Sequence, residues 1–133
     1  MSANFVLPVD AIRDGLNRDP EFVLAARFWY ADIRFEVGDE PYFMHVENGI
    51  VTRFKHGTEG FDPYEINIGG STETWLKMME EKPQPFYHDW LAACFHHEFE
   101  ISGDLGSAYA YYFALRRIHA VMGQCVRALD KVA

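Results

Sequence analysis

His88-Asp89 sets an imidazole beside a carboxylate, and Tyr109, Tyr111 and Tyr112 crowd phenols near Asp104. Imidazole, carboxylate and phenol are the groups that move protons in general acid–base catalysis, provided a pocket tunes their pKa values. His88, Asp89, Tyr109 and Tyr112 are therefore the candidate catalytic residues if the chain is an enzyme. His96-His97-Glu98, eight residues on from His88, offers nitrogen and oxygen ligands of the kind zinc takes. Neighbouring residues point in different directions on either a helix or a strand, and no HExxH spacing occurs, so ordinary surface histidines outweigh a metal. Ile68-Gly69-Gly70-Ser71 joins a strand to a helix start, as phosphate-cradling turns do, but lacks their Lys and glycine spacing. Turn geometry is the simpler account. No nucleophile elbow, P-loop or dinucleotide fingerprint is present, so neither metal nor cofactor is expected.

Composition narrows the remaining options. The 133 residues suit one domain, expected to span 1–133. Net charge is -8 without a basic tract, which argues against nucleic acid, whose affinity comes from Lys and Arg on phosphates. The same charge disfavours adsorption to anionic membranes. Aromatic residues reach 16%, with 11 Phe, 7 Tyr and 3 Trp, enough to build a core or to wall an apolar ligand site. Cys94 and Cys125 have no paired spacing and read as buried thiols in a reducing compartment. The N-terminus lacks a basic region followed by an apolar core, no run approaches the roughly 18 apolar residues of a membrane span, and the last residues form no peroxisomal tripeptide. A cytoplasmic setting is the expectation.

The elements that must position these residues follow from periodicity. Pro8-Val9-Asp10 opens a short amphipathic helix with Ile12 and Leu16 four apart, weakened by Gly15. Asp19-Pro20-Glu21 is a helix start, predicting a helix to about Tyr30 with Phe22, Leu24, Ala25, Phe28 and Trp29 on a broad apolar face. Alternation then signals strands: Ile33, Phe35 and Val37; Tyr42, Met44 and Val46; and, after the Asn48-Gly49 hairpin turn, Ile50 to about His56. Gly57 to Gly60 reads as a loop, and a fourth strand, Tyr64 to Ile68, turns Tyr64, Ile66 and Ile68 inward before Gly69-Gly70 breaks it. Ser71 caps a helix carrying Trp75, Leu76, Met78 and Met79 on one face. Pro83 and Pro85 separate it from a second, Phe86 to Phe95, holding Trp90, Leu91 and Cys94. Phe99 and Ile101 mark a last strand, and Gly103-Asp104 leads into a long helix with Tyr111, Leu115, Ile118, Met122, Cys125, Leu129 and Val132 at four-three spacing. About 40 Å of helix exceeds what one small sheet covers, so either a second copy packs on its end as a homodimer or Gly123 bends it back. Together these elements describe a two-layer α+β domain.

The segment Tyr64 to Asp104, YEINIGGSTETWLKMMEEKPQPFYHDWLAACFHHEFEISGD, resembles the sterol carrier protein 2 (SCP-2) family. The shared order is strand, small-residue turn, Trp-bearing helix, apolar helix, strand ending in Ile-Ser-Gly-Asp, and closing helix. The acidic balance, the aromatic helix before the first strand and the length of the last helix depart from it. The resemblance implies a five-stranded mixed sheet with helices packed on one face and an apolar tunnel between the layers. The tunnel walls it implies are Phe28, Trp29, Phe35, Met44, Trp75, Met78, Met79, Phe86, Trp90, Leu91 and Phe95. On pattern alone, the Trp75-Met78-Met79 stripe reads more readily as plain core than as a ligand wall, an order that the resemblance reverses. The function implied is binding and shielding of a lipid, fatty acyl or sterol-like molecule without catalysis. The rival readings are a cofactor-independent isomerase or hydratase in the same pocket, and an accessory module that presents substrate to another enzyme.

Overall fold

The structure, a computed structural model, describes residues 6–57, 62–87 and 89–132, with the backbone alone for His96 and residues 130–132. The elements are α1 (Val9–Asn17), α2 (Pro20–Ala25), β1 (Tyr30–Val37), β2 (Glu40–Glu47), β3 (Ile50–His56), β4 (Ile66–Gly70), α3 (Thr72–Met78), α4 (Trp90–His96), β5 (Phe99–Gly103), α5 (Leu105–Ala110) and α6 (Tyr112–Val132). The strands form one mixed sheet in the order β3-β2-β1-β4-β5, parallel at β1/β4 and antiparallel elsewhere. This is the expected α+β architecture, with the helical layer on one face.

Register explains how the core is assembled. Directly paired residues share a sheet face. Ile33 pairs with Met44 and Ile66, Phe35 with Tyr42 and Ile68, Met44 with Phe54, and Ile68 with Ile101, so one continuous apolar face forms. A bulge opposite His45/Val46 lets Val51 and Phe54, three apart, both turn inward. The opposite face is polar, and Phe43, buried on it, is sheltered by the Arg53 and Lys55 cations at 5.3 and 5.7 Å from its centroid.

Several boundaries differ from the sequence reading. The second helix stops at Ala25 because the chain must reverse into β1. Phe28 takes a positive φ of 71°, its N–H donates to Asn48 Oδ1, and Leu24 and Phe28 are exposed while Phe22 and Trp29 are buried. Gly69-Gly70 continues β4, pairing with Glu100 and Phe99, and Tyr64 lies outside the strand with the Arg34 guanidinium 4.0 Å over its ring. The helix expected from Phe86 starts at Trp90, since Asp89 supplies the cap to Leu91 N and Phe86 sits at φ 69°. The last helix is interrupted at Tyr111, and α6 then runs unbroken through Gly123.

The stripe on α6 has an intramolecular partner. Leu115, Ile118, Val121, Met122 and Val126 are buried, and α1 and α2 pack along α6. Gly15 of α1 allows this approach: a Cβ there would stand 3.0 Å from Val121 Cγ1 and 3.8 Å from Cys125 Sγ. The length of α6 therefore requires no second copy, although Leu129 remains exposed.

Burial raises the pKa of Tyr42, whose hydroxyl accepts the Leu7 N–H, and of the Cys94 and Cys125 thiols. A folded-state pKa above the unfolded one means that unfolding releases protons over that window, so stability falls as pH rises through it. The loss should begin above about pH 8.5, the thiol reference, and steepen above about 10, the phenol reference. Urea midpoints from pH 7 to 10.5 should show this decline, with the first part removed in a Cys94→Ala/Cys125→Ala double variant. A flat profile would contradict it.

Candidate functional site

The expected tunnel residues fall into two groups. Phe35, Met44, Trp75, Met78, Met79 and Trp90 are all buried and belong to one core. Their rings pack on one another: Phe35 to Trp75 at 6.2 Å, Phe35 to Trp90 at 5.8 Å, Trp75 to Trp90 at 5.8 Å and Trp75 to Phe99 at 5.4 Å. These are the separations of touching aromatic pairs, so the rings pack on one another between sheet and helices. Trp75 is fixed further by its Nε1–H, which donates to the Glu36 carbonyl at 2.8 Å. Trp29 stacks on Tyr111 at 5.1 Å and donates Nε1–H to Ser107 Oγ, tying β1 to α5. Phe28, Phe86 and Phe95 lie instead at the surface, the last 76% exposed, and Leu91 is half-buried. Phe95 borders a more polar recess of about 500 Å³ with Tyr87, His97 and Ser71.

An open cleft of about 520 Å³ lies on the helical side, between α6 and the connection from α3 to α4. Met78, Trp90, Tyr112, Phe113 and Ala120 give it apolar surface; Glu21, Glu80, Glu81, Asp89, Arg116, Arg117 and Arg127 give it a charged border. The sequence pattern on α6 carries a signal that the reading passed over. Phe113, Arg116, Ala120, Gly123 and Arg127 recur at three and four residues, a second stripe beside the buried one, and all five line the cleft. Ala120 presents only a methyl group to the cleft, and at Gly123 an added Cβ would stand 2.8 Å from Arg127 Nη1, so the missing side chain there makes room for that guanidinium.

The cleft is held open at one end by hydrogen bonds from α6 to the last carbonyls of α3. His119 Nε2 lies 2.9 Å from Met78 O, and since a carbonyl only accepts, Nε2 carries the proton. Arg127 NH1 donates to Met79 O at 2.8 Å. Both satisfy carbonyls that a helix C-terminus leaves without partners. The His119 ring stacks on Trp90 at 5.2 Å, forming a flat wall. On the other side, Arg117 donates Nε–H to Asp19 at 2.8 Å and pairs with Glu21 at 3.2 Å, and the Asp19 carboxylate keeps the guanidinium firmly protonated.

The proposed proton handlers are not assembled into a catalytic group among the described residues. Asp89 and Tyr112 do meet at the cleft, but the Asp89 carboxylate and the Tyr112 hydroxyl both accept the Leu91 N–H, at 3.0 and 3.3 Å, which gives each a structural task at the start of α4. Tyr109 is exposed on α5, and His88 lies outside the described residues. No group of three or more His, Cys, Asp or Glu side chains among the described residues could hold a metal ion, and no described helix is long and apolar enough to cross a membrane.

Comparison with solved structures places this geometry in a known fold. A crystal structure of sterol carrier protein 2 superposes with a TM-score of 0.71 at 18% identity, covering 87% of this chain and 93% of the other. A conserved hypothetical protein from Thermus thermophilus, described as possibly a sterol carrier protein, gives 0.71 at 17% identity, over 94% of this chain and 92% of its own. A ubiquinone synthesis protein, UbiJ-SCP2, gives 0.54 at 15% identity over 83% and 90%. No protein-family model matches the sequence, and no curated protein matches it. The chain has the SCP-2-like fold, as the Tyr64 to Asp104 pattern implied.

Proposed function

We propose that this SCP-2-like domain binds and shields a hydrophobic small molecule, of lipid, fatty acyl or sterol-like type, and that the cleft between α6 and the α3–α4 connection admits it. The observation that carries this reading is the cleft itself: its volume falls in the range of small-molecule sites, roughly 300–1,000 Å³, and it combines apolar surface with a few polar groups. The fold shared with sterol carrier protein 2 supports a carrier role in the same direction. The structural duties of Asp89 and Tyr112 leave binding as the better supported use of the site.

Magnitude sets what to expect. Burying on the order of 300 Å² of apolar ligand surface is worth about 7 kcal/mol before association costs are subtracted. Affinity for a single-chain lipid should then be about micromolar or weaker, readable by titration. A long-chain acyl or steroid probe should change tryptophan emission, because Trp90 lines the cleft and touches Trp75. Ala120→Phe should fill the cleft and lower probe affinity at least about tenfold, with the fold retained, since Ala120 is only half-buried. Flat emission with every probe, on protein freed of bound lipid by organic extraction, would remove the carrier reading.

A further inference from the structure

Trp90 Nε1 is the one buried side-chain polar atom among the described residues that has no hydrogen-bond partner. The other indoles are satisfied, Trp29 by Ser107 and Trp75 by the Glu36 carbonyl. A buried N–H without an acceptor costs a folded protein stability, and an apolar ring of similar shape would avoid that cost. Trp90 is 2% exposed, yet it forms part of the cleft wall, stacked on His119. An unsatisfied donor at the wall of a ligand-sized cleft is therefore an incomplete half of a recognition contact.

We propose that the Trp90 indole N–H is the hydrogen-bond donor for a neutral oxygen acceptor on the ligand, a ketone, ester or alcohol oxygen on an apolar body, in preference to a carboxylate. The inference rests on the binding role proposed above and specifies its ligand. Neutrality follows from the charges around the donor. Asp89 is its sequence neighbour, and Glu80, Glu81 and Glu21 also border the cleft. Two of the cations there are already engaged, Arg117 with Asp19 and Glu21, and Arg127 with the Met79 carbonyl. A ligand carboxylate in the cleft would meet the carboxylates of Asp89, Glu80 and Glu81 on its border, and like charges repel. An indole offers one donor and no acceptor, which a neutral oxygen satisfies without bringing charge. Because the nitrogen is sealed from solvent, the acceptor reaches it as the α3–α4 connection moves aside from α6. Residues 80–87 of that connection form neither helix nor strand, so no ladder of backbone bonds opposes the movement.

The test is titration of the ¹⁵N-labelled full chain with 2-undecanone and with undecanoate, following the indole N–H resonances, the Trp90 signal being the one absent from Trp90→Phe. The ketone should move the Trp90 indole proton downfield while leaving those of Trp29 and Trp75 nearly in place. Undecanoate should bind at least about tenfold more weakly. Trp90→Phe should lose about tenfold in ketone affinity in its folded fraction, beyond whatever stability the smaller ring costs the core. Saturable ketone binding that leaves the Trp90 resonance unmoved, or undecanoate binding as tightly as the ketone, overturns this inference and leaves the carrier role standing. Absence of binding by either compound overturns both. Should Trp90→Phe fail to fold, the wild-type resonance and the ketone-to-carboxylate ratio still decide.

Discussion

Trp75→Ala should destabilise the fold by about 4 kcal/mol, the cost of deleting a large aromatic side chain whose surroundings cannot close the gap. Trp75 has no exposed surface, touches Phe35, Trp90 and Phe99 edge-on, and donates to the Glu36 carbonyl of β1. Truncation therefore removes ring packing and also orphans a backbone acceptor. Its neighbours are themselves large rings held by β1, α4 and β5, so collapse into the space is opposed on every side. Urea unfolding of the variant measures the loss. The result also bears on where a ligand goes. If the space between sheet and helices were hollow at Trp75, the side chain would have few partners and its removal would cost about 1 kcal/mol or less. A large loss supports a filled core, with the ligand admitted through the α6 cleft.

Much of the fold was legible because its signals are local. Asn48 at φ 48° and Gly49 at φ 84° turn the hairpin as their sequence suggests; Asp19, Ser71 and Asp104 accept from Phe22, Thr74 and Ser107 as helix caps. The alternation in β1 and β2 marked the buried face correctly, because one face meets the core and the other meets water. What stayed hidden depends on contacts distant in sequence. Gly69-Gly70 looks like a strand breaker, yet β1 and β5 pair with it from both sides and hold it extended. The β3 bulge breaks alternation, so no periodicity could show that Val51 and Phe54 share a face. The α6 stripe left a second copy and packing on its own domain equally open, because a weak, glycine-containing α1 gave no sign that Gly15 is what lets it lie against Val121. For the site, Phe35, Met44, Trp75, Met78, Met79 and Trp90 come together in one core, whereas Phe28, Phe86 and Phe95 do not. Whether rings line a space or fill it is set by separations of a few ångströms between α3, α4, β1 and β5, which residue types do not encode.

Gly103→Ala should cost about 3 kcal/mol, and comparison with Gly57→Ala separates the two causes. Both glycines have φ 95°, a conformation that strains any residue with a Cβ. At Gly57 an added Cβ meets nothing within 4 Å among the described residues, so the substitution reports backbone strain alone, about 1–2 kcal/mol. At Gly103 the Cβ would collide with the Glu65 carbonyl oxygen and stand 3.3 Å from Ile66 Cα. That oxygen accepts the Asp104 N–H at 2.7 Å, so relief of the clash breaks a hydrogen bond that closes β5 onto the start of β4. The consequence extends beyond the strand end, because Asp104 caps α5 and Ser107 of α5 receives the Trp29 indole N–H. Displacement there moves the helix that leads into α6, and hence one wall of the cleft. Gly103→Ala should thus weaken probe binding in the folded fraction as well as stability, whereas Gly57→Ala should lower stability alone. Equal losses of stability in the two variants would mean that β5 does not pack against Glu65 as described, and would detach the position of α6 from the Gly103-Asp104 turn.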